Sequence, residues 1–327
     1  MSTLIILRHV QVENANAIAG FTYGFPGITH FLGYCHALSR KLQASHGLTL
    51  DGCGVVCHNH QVHCYQPSGR GDYVFAQSRN PLTKEGETAA IIEEGRMQLT
   101  VSLLLECHGL IANGDFGITE LKQHLEQLCP RMRLAGGTIT GIRQIDIAEM
   151  PQAPDEIARF NRRQLRRLLP GFTLLDRTNL LVEHFASKQA ENPEVEFLDA
   201  WLDFVALKAE AEPILAEGEE LSENTKADWR YLPKPYGGWL VPITTGYRAI
   251  SPLYLGGEVA NSRDMETPFA FAESVYGIGE WCSPHRLQSI EQLFWRYQYQ
   301  EQDGCYLCKN NAQQSNDTED REEDFDY

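Results

Sequence analysis

The first 145 residues alternate between two hydrophobic patterns, one typical of strands and one typical of helices. Strands are predicted where β-branched residues cluster or apolar and polar residues alternate, at 3–12, 53–65, 97–103 and 131–142. Helices are predicted where apolar residues recur every three or four positions, at 28–42 and 118–129. The resulting order, β-α-β-β-α-β, is the split motif of ferredoxin-like proteins. We therefore predict an α+β fold with a ferredoxin-like core over residues 1–145.

Three further segments differ in composition from this core. Residues 146–235 predict a mostly helical insertion that contains an arginine-rich helix and an acidic segment. Residues 236–302 are rich in Gly, Pro and aromatic residues and predict a C-terminal block that packs on the core and ends in a helix at 284–298. Residues 303–327 predict an acidic, disordered tail. No stretch approaches the roughly 18 apolar residues that span a bilayer, so no membrane segment is expected and the expected compartment is the cytoplasm.

The chain of 327 residues has a formal net charge of -16, and this charge is concentrated in two segments. Residues 191–223 have a net charge of -10 and residues 316–327 have a net charge of -6, so the rest of the chain is neutral overall. Within that neutral part, residues 159–167 contain five arginines and no acid. The overall negative charge therefore does not exclude a nucleic-acid partner.

At 100° per residue, the arginines of this segment fall on one face of a helix, and Leu165 and Leu168 point away from them. They are Arg159, Arg162, Arg163, Arg166 and Arg167. One face of the helix then suits phosphates and the other suits a hydrophobic core. The alternative is a solvated helix face whose arginines pair with neighbouring carboxylates.

The predicted fold is shared with RNA-recognition modules, in which a sheet face and its loops hold single-stranded RNA. The aromatic RNP1 signature of those modules is absent from this sequence, so loops and arginines would have to hold the RNA. Gly136 and Gly137, which follow Arg131 and Arg133, form a candidate loop because glycine permits positive φ and close approach of a phosphate. The alternative is an ordinary β-bulge.

The Gly/Pro-rich block offers further candidates for RNA binding. Trp281, His285 and Arg286 combine an aromatic ring with basic side chains, a mixture that sites for single-stranded RNA often use. The alternative is that Trp281 packs inside the block and Arg286 pairs with Glu280. Three more candidates lie in expected loops of this block, where position favours function: Arg248, Asn261 and Arg263.

No metal site, cofactor or catalytic residue is predicted. The cysteines and histidines within 53–64 have side chains that zinc prefers, but their positions along a strand divide them between its two faces. Cys305 and Cys308 have the spacing of a zinc knuckle without a second pair nearby. His30 and His36 suit RNA cleavage chemically, yet they project about 240° apart around a helix and make a poor acid–base pair.

Seven strings spread along the chain resemble one protein family. They are GFPGITHFLGYCHAL (24–38), DGCGVVCH (51–58), RNPLTKEGETAAIIEEGRMQLTVSLLLECHG (79–109), MRLAGGTI (132–139), RRLLPGF (166–172), GWLVPITTGYRAISPLYLGGEVANSRDMETP (238–268) and GEWCSPHR (279–286). Over about residues 3–300 the chain resembles the family of the second Csy protein, a RAMP-type subunit of the type I-F CRISPR surveillance complex. The acidic stretch at 191–226 and the tail after Asp303 depart from the resemblance.

The resemblance implies a non-catalytic subunit that grips the 5′ handle of CRISPR RNA, pairs with the large subunit of the Csy complex and contacts a neighbouring backbone subunit. We therefore predict an RNA-binding subunit, not an enzyme, that works on target DNA within the assembled complex and needs no cofactor and no membrane. Two alternatives stay open. One is a RAMP-type endoribonuclease that processes precursor CRISPR RNA, and the other is a protein-only adaptor whose arginines bind acidic partners.

Overall fold

The fold is given by a computed structural model that describes residues 2–76, 82–89, 94–214, 225–262 and 264–310. The helices are α1 (Ile28–His46), α2 (Gly114–Leu128), α3 (Pro154–Arg166), α4 (Thr178–Glu191) and α5 (Phe197–Val205), with 3-10 turns at Cys129–Arg131, Pro284–Arg286 and Ile290–Leu293. Within the described ranges, no helix has both the length and the apolar character needed to cross a membrane.

Sixteen strands lie in these described ranges. They are β1 (Ser2–Asn16), β2 (Ile18–Ala19), β3 (Thr22–Tyr23), β4 (Thr49–Val62), β5 (Cys64–Tyr65), β6 (Val74–Phe75), β7 (Arg96–His108), β8 (Arg133–Leu134), β9 (Gly137–Glu149), β10 (Phe172–Asp176), β11 (Ala209–Pro213), β12 (Ala227–Tyr231), β13 (Leu240–Ala249), β14 (Ala272–Cys282), β15 (Phe294–Gln300) and β16 (Cys305–Asn310).

Ten of the strands form one antiparallel sheet in the order β10-β14-β13-β16-β15-β4-β7-β1-β9-β8. One edge of β4 pairs with β15 at Gly54 and with β10 at Cys57. Because β10 also pairs with β14, the six strands β10, β14, β13, β16, β15 and β4 close a ring. The remaining four strands extend the sheet from the other edge of β4.

The predicted ferredoxin-like, RRM-like core is therefore wrong. Strands and helices do form at nearly the positions that the patterns indicated, but they do not make a self-contained four-stranded sheet. β10, from the predicted helical insertion, and β13–β16, from the predicted C-terminal block and beyond, belong to the same ten-stranded sheet. The physical reason is that local hydrophobic alternation marks a strand and its buried face, but not the strand that its backbone edge will bind.

Two expectations near the C-terminus are also corrected. The helix predicted at 284–298 is instead a pair of 3-10 turns followed by β15. The disordered tail predicted from residue 303 is wrong in its first part, because β16 lies between β13 and β15 and buries Cys308. Residues 311–327 of the predicted tail lie outside the described residues.

The sheet buries apolar side chains on both faces. Along β1, Ile5 and Leu7 join the larger cluster, to which α1 and α2 contribute, whereas Ile6 belongs to a second cluster on the other face. Phe160 and Leu165 of α3 pack into that second cluster. α3 thus covers part of the sheet face that an RNA-recognition module leaves open for bases. Its outer surface, not the sheet beneath it, faces solvent.

Candidate nucleic-acid interface

α3 presents a row of arginines to solvent. Pro154 occupies the first turn together with Asp155 and Glu156, which suits the positive end of the helix dipole. Phe160 and Leu165 are buried. The exposed arginines are Arg159, Arg162, Arg163 and Arg166, which we call the α3 basic face, followed by exposed Arg167 at the helix end. The helix therefore has the division into a basic and an apolar side that its sequence predicted.

The four guanidinium groups of the α3 basic face have no carboxylate partner within salt-bridge distance among the described residues. Arg163 lies over the ring of Phe160, at 5.8 Å from its centroid. Arg167 differs, because its Nη2 lies 3.0 Å from the Asp146 carboxylate. Pairing with neighbouring carboxylates, the alternative considered for this helix, thus applies to Arg167 alone within the described part of the chain.

Buried polar contacts fix α3 to the rest of the molecule. The Asn161 side chain donates to Ser289 Oγ at 3.2 Å and accepts from the backbone N–H of Ile290 at 3.4 Å. Gln164, also buried, accepts from Arg8 Nη2 at 3.1 Å. Because buried polar groups are costly to leave unpaired, these bonds oppose any shift of the helix. The basic face is consequently held by a rigid backing.

A network of ion pairs lies at the C-terminal end of the α3 basic face. Arg8, nearly fully buried, donates through Nε to Asp146 at 2.6 Å and through Nη1 to the carbonyl oxygen of Arg167 at 3.1 Å. Burial opposes ionisation of Asp146, but the hydrogen bond from Arg8 and the charges of Arg8 and Arg167 outweigh it and lower the pKa of Asp146. The Asp146 carboxylate pairs with both Arg8 and Arg167, so these three side chains have a net positive charge beside the end of α3.

The 3-10 turn Pro284–Arg286 packs beside α3 and brings two more predicted residues to this surface. His285 and Arg286 are both exposed, and His285 Nδ1 lies 2.8 Å from Ser283 Oγ. The pairing of Arg286 with Glu280 that the sequence suggested is not present, because Glu280 accepts from Arg177 Nε at 2.6 Å. The structure therefore places His285 and Arg286 on a turn next to α3, and their contact with RNA stays a prediction.

A pocket of about 480 Å³ lies among the strands of the ring. Four aromatic side chains define what we call the aromatic pocket: Phe25, Phe172, Trp239 and Trp281. Trp281 meets Phe25 edge-on with ring centroids 4.8 Å apart, and Phe172 meets Trp239 edge-on at 5.5 Å. Trp281 thus packs against its neighbours and at the same time lines an open cavity.

The polar wall of the aromatic pocket contains histidine, asparagine and threonine side chains. His58 lies there with Nδ1 2.6 Å from the carbonyl oxygen of Pro170 and Nε2 2.7 Å from Ser102 Oγ, and its ring stacks on His9 at 4.1 Å. Burial lowers the pKa of His58, which favours the neutral imidazole. Among the described residues that line this pocket there is no Lys, Arg, Asp or Glu. Its chemistry suits a planar, neutral group.

Comparison with known proteins covers nearly the whole chain. The family model described as "CRISPR-associated protein (Cas_Csy2)" matches residues 5–308. The CRISPR-associated protein Csy2 of Pseudomonas aeruginosa (strain UCBPP-PA14) is 42% identical over 312 residues, which are 93% of this chain and 94% of that protein. The chain belongs to the Csy2 family. The matched range runs from within β1 to within β16, so it includes α3, the residues that line the aromatic pocket and at least part of every strand of the ten-stranded sheet.

The glycine pair of this Csy2-family chain lies in a hairpin turn. Ala135 and Gly136 take positive φ, +50° and +75°, between the paired residues Leu134 and Gly137 of β8 and β9. The turn is a two-residue hairpin connection, not a bulge. A Cβ on Gly137 would lie 2.5 Å from the carbonyl oxygen of Glu13, so close backbone packing accounts for that glycine. RNA contact at the turn stays a prediction.

The other predicted RNA-binding residues lie on separate elements. Arg131 ends the 3-10 turn after α2, and Arg133 on β8 donates to the carbonyl oxygen of Gly136 at 3.2 Å. Arg248 is exposed on β13, and Asn261 is exposed in a turn with φ of +59°. Arg263 lies outside the described residues. Their contact with RNA likewise stays a prediction.

Burial and hydrogen bonding describe the surroundings of the residues that were considered for zinc binding or RNA cleavage. Burial raises the pKa of Cys57 to about 11 and that of Cys53 well above its ordinary value, which disfavours the thiolate that binds metals. His30 Nδ1 lies 3.2 Å from the carbonyl oxygen of Gly27, and burial lowers the pKa of His30. His36, by contrast, is exposed on α1.

Sequence reasoning missed several residues of this interface. Arg8 lies within a predicted strand, and its role depends on Asp146 and Arg167, which are far away in the sequence. Phe172 and Trp239 come from two segments that meet only in the folded ring. Two sequence features could have indicated Trp239 and Arg8: a Trp directly after Gly237–Gly238, and an arginine within an apolar strand.

Proposed function

We propose that this Csy2-family chain is a non-catalytic subunit of the type I-F CRISPR surveillance complex and holds the 5′ handle of the CRISPR RNA on the α3 basic face. In that role it pairs with the large subunit, contacts a neighbouring backbone subunit and supports interference with target DNA in antiviral defence. Membership in the Csy2 family supports the role as a subunit of the CRISPR complex. The exposed arginines of the α3 basic face support the RNA-binding role.

The observation that carries the RNA-binding role is a row of exposed arginines, without carboxylate partners among the described residues, in a chain of net charge -16. Guanidinium groups donate to phosphate oxygens in a planar, bidentate geometry, and phosphate contacts dominate affinity for nucleic acids. Holding several exposed cations on one face does not stabilise the fold, because like charges repel. A polyanionic ligand relieves that repulsion.

Protein partners are supported by a different surface. Between β13 and β14, several large apolar side chains are exposed, namely Ile250, Leu253, Leu255, Met265 and Phe271. Exposed apolar groups that cluster along one connecting segment are typical of protein–protein interfaces. We assign this segment to contact with another subunit of the complex, whereas α3 meets RNA.

The endoribonuclease alternative has weaker support from the geometry. RNA cleavage needs a general base placed near a ribose hydroxyl. His30 is occupied by contacts that close the turn before α1, with Nε2 3.4 Å from Asn16 Nδ2 and Nδ1 3.2 Å from the carbonyl oxygen of Gly27. Incubation of the pure chain with labelled precursor CRISPR RNA tests this alternative, and we expect no cleavage products.

The proposal is tested by removing three charges from α3. The variant Arg162→Ala/Arg163→Ala/Arg166→Ala is co-purified with the large subunit and titrated with CRISPR RNA. Exposed arginines contribute little to stability, so we expect an unchanged melting temperature and a large loss of RNA affinity. The matched control Arg40→Ala/Lys41→Ala/Lys226→Ala removes the same charge from exposed positions elsewhere and should keep most of the affinity.

Equal affinities of the two triple variants would contradict the role of α3 in RNA binding. If the α3 variant instead loses the large subunit but still binds RNA, the adaptor alternative, in which the arginines bind an acidic protein, is correct.

A further inference from the structure

The α3 basic face is a helix surface that no described segment of the chain covers. Its arginines are exposed, and the described residues supply no carboxylate within salt-bridge distance of them. Cations held side by side on one helix repel each other. A segment of this chain that is rich in carboxylates and lies outside the described residues would relieve that repulsion if it could reach the helix.

Residues 311–327, which we call the C-terminal acidic segment, have the charge that complements this face. They contain seven acids and Arg321, a net charge of -6, and all of these charges lie within 317–326. Residues 311–316 carry no charge. The match to the Csy2 family model ends at residue 308, so family membership does not account for this segment.

The described chain ends beside α3. Asn310, the last residue of β16, donates through Nδ2 to the carbonyl oxygens of Gln292 at 2.9 Å and Phe294 at 3.1 Å. Gln292 belongs to the 3-10 turn Ile290–Leu293, whose first backbone N–H donates to Asn161 of α3. Phe294 packs in the same apolar cluster as the buried side of α3. The C-terminal acidic segment therefore starts one 3-10 turn away from the helix.

The C-terminal acidic segment is long enough to lie along the whole basic face. Its six uncharged residues can span up to about 20 Å, and its seventeen residues together up to about 60 Å. α3 has 13 residues and is therefore about 20 Å long. A segment tied to the protein beside its binding surface acts at an effective concentration of about 1 mM or more. Weak ion pairs with the arginines are then enough to keep part of the molecules docked.

The other acidic segment, residues 191–223, is less well placed. Asp203 in its described part already accepts from Lys188 and lies 2.8 Å from His184 Nε2. α4 packs on β14 and α5 packs on β13, in an apolar cluster separate from that of α3. The C-terminal acidic segment is therefore the better counterpart of the α3 basic face.

We propose that the C-terminal acidic segment docks on the α3 basic face when no RNA is bound, with its carboxylates paired to the arginines of that face. RNA then has to displace the segment, which lowers the apparent affinity for RNA in proportion to the fraction of molecules that are docked. This competition rests on the proposed function, whereas the docking itself needs no RNA. The two parts can therefore be measured separately.

Docking is tested by proteolysis without RNA. The full-length chain, co-purified with the large subunit, is treated with a glutamate-specific protease at low salt, and mass spectrometry follows the release of peptides from residues 311–327. A docked segment is shielded, so release should be about 3- to 10-fold faster in Arg162→Ala/Arg163→Ala/Arg166→Ala than in wild type. The control Arg40→Ala/Lys41→Ala/Lys226→Ala should behave like wild type. Equal rates in all three proteins would overturn the inference and leave RNA binding by α3 untouched.

Competition is tested by titration with CRISPR RNA. Deletion of residues 311–327 leaves β16 complete and should raise RNA affinity about 3- to 10-fold at low salt, a gain that fades as added salt screens the ion pairs. Neutralising four acids of the segment should give most of this gain at unchanged length, in the variant Glu319→Gln/Asp320→Asn/Glu322→Gln/Glu323→Gln. The matched control removes four acids from the other acidic segment and should leave the affinity unchanged: Glu217→Gln/Glu219→Gln/Glu220→Gln/Glu223→Gln.

Combining the deletion with the α3 triple variant separates docking from repulsion at a distance. Without the arginines, deletion of residues 311–327 should no longer change RNA affinity. An equal gain in that background would show that the segment only repels RNA, and would overturn the inference. A gain from the control variant as large as that from the C-terminal variant would make the other acidic segment the occupant of α3. Protection from the protease in a chain that binds no RNA would support docking and remove the proposed function.

Discussion

The α3 basic face and the β8–β9 turn both carry exposed arginines. The two regions differ in the partners that these arginines have within the protein. At the turn, Arg133 donates to the carbonyl oxygen of Gly136, and Gly137 fills a gap against β1 that has no room for a Cβ. On α3, the exposed arginines have no carboxylate partner among the described residues, while the Asn161 and Gln164 side chains beneath them form hydrogen bonds to other elements of the fold.

The difference separates residues that the fold explains from residues that it does not. A glycine required by close backbone contact needs no ligand to account for it. The arginines of the α3 basic face are different, because they repel each other and contribute little to the stability of the fold. A ligand is needed to account for them. The comparison therefore favours α3 over the turn as the place where phosphates bind.

The largest expected effect on stability is at the turn. Gly137→Val places side-chain atoms against the carbonyl oxygen of Glu13 and the backbone N–H of Ala15, and should cost about 3 kcal/mol of unfolding free energy. Urea unfolding measures this loss. RNA affinity per folded molecule should stay at the wild-type value, and a further drop in affinity would restore the turn as an RNA site. Gly136→Asn is the control, because asparagine tolerates positive φ.

Loss of the buried hydrogen bonds that hold α3 should have the next largest effect on stability. Asn161→Ala removes two hydrogen bonds and leaves the buried backbone N–H of Ile290 without its partner, which should cost about 2 kcal/mol. Unlike Gly137→Val, this variant should also lose RNA affinity per folded molecule, because the helix that carries the arginines loosens. Ser289→Ala keeps the bond from Ile290 to Asn161 but removes the Asn161–Ser289 bond and the cap bond from the Glu291 N–H, so it should lower stability with a smaller loss of RNA affinity. Full RNA affinity in the destabilised Asn161→Ala protein would show that the backing does not matter for binding.

The sequence predicted much of the local structure around these two regions. The alternation of Met97, Leu99, Val101 and Leu103 marks a strand because those side chains face one core cluster. The arginine spacing marks the exposed side of α3. The helix predicted at 284–298 is wrong, because Ile290 and Leu293 have helical spacing but are buried within a short 3-10 turn.

The assembly of the sheet was beyond the reach of local patterns. Nothing in the sequence near Gly54 or Cys57 indicates that the same edge of β4 binds β15 and then β10. The aromatic pocket exists only because that ring closes, so its members could be named singly, as Trp281 was, but not as a group. Long-range pairing decides such features, and one sequence carries little information about it.

A moderate, pH-dependent effect is expected at the end of the basic face. The folded state lowers the pKa of Asp146, so the carboxylate stabilises the fold above the unfolded-state pKa of about 4, and this contribution is lost as the pH falls through the lower folded-state value. Asp146→Asn should therefore melt earlier than wild type at pH 7, and the difference should shrink below about pH 4. Melting temperatures at pH 7, 5 and 3 check this, and a difference that stays constant with pH would rule out the charge as its source.

The smallest effects on stability are expected for single arginines. Arg133→Ala and Arg162→Ala should each change the unfolding free energy by less than about 0.5 kcal/mol, since both side chains are exposed. Their RNA affinities should differ, however, with a loss only for Arg162→Ala. Equal losses for both would erase the distinction between the turn and α3.

The salt dependence of RNA binding tests the central claim most directly. Each phosphate contact that is lost lowers the slope of log affinity against log salt concentration by about 0.7 for single-stranded nucleic acid. Titrations of wild type and Arg162→Ala/Arg163→Ala/Arg166→Ala across a salt series should therefore differ in slope by about 2, if each arginine meets one phosphate of the single-stranded handle. Identical slopes in the two proteins would show that these arginines meet no phosphate, and would contradict the account of α3 as an RNA-binding surface.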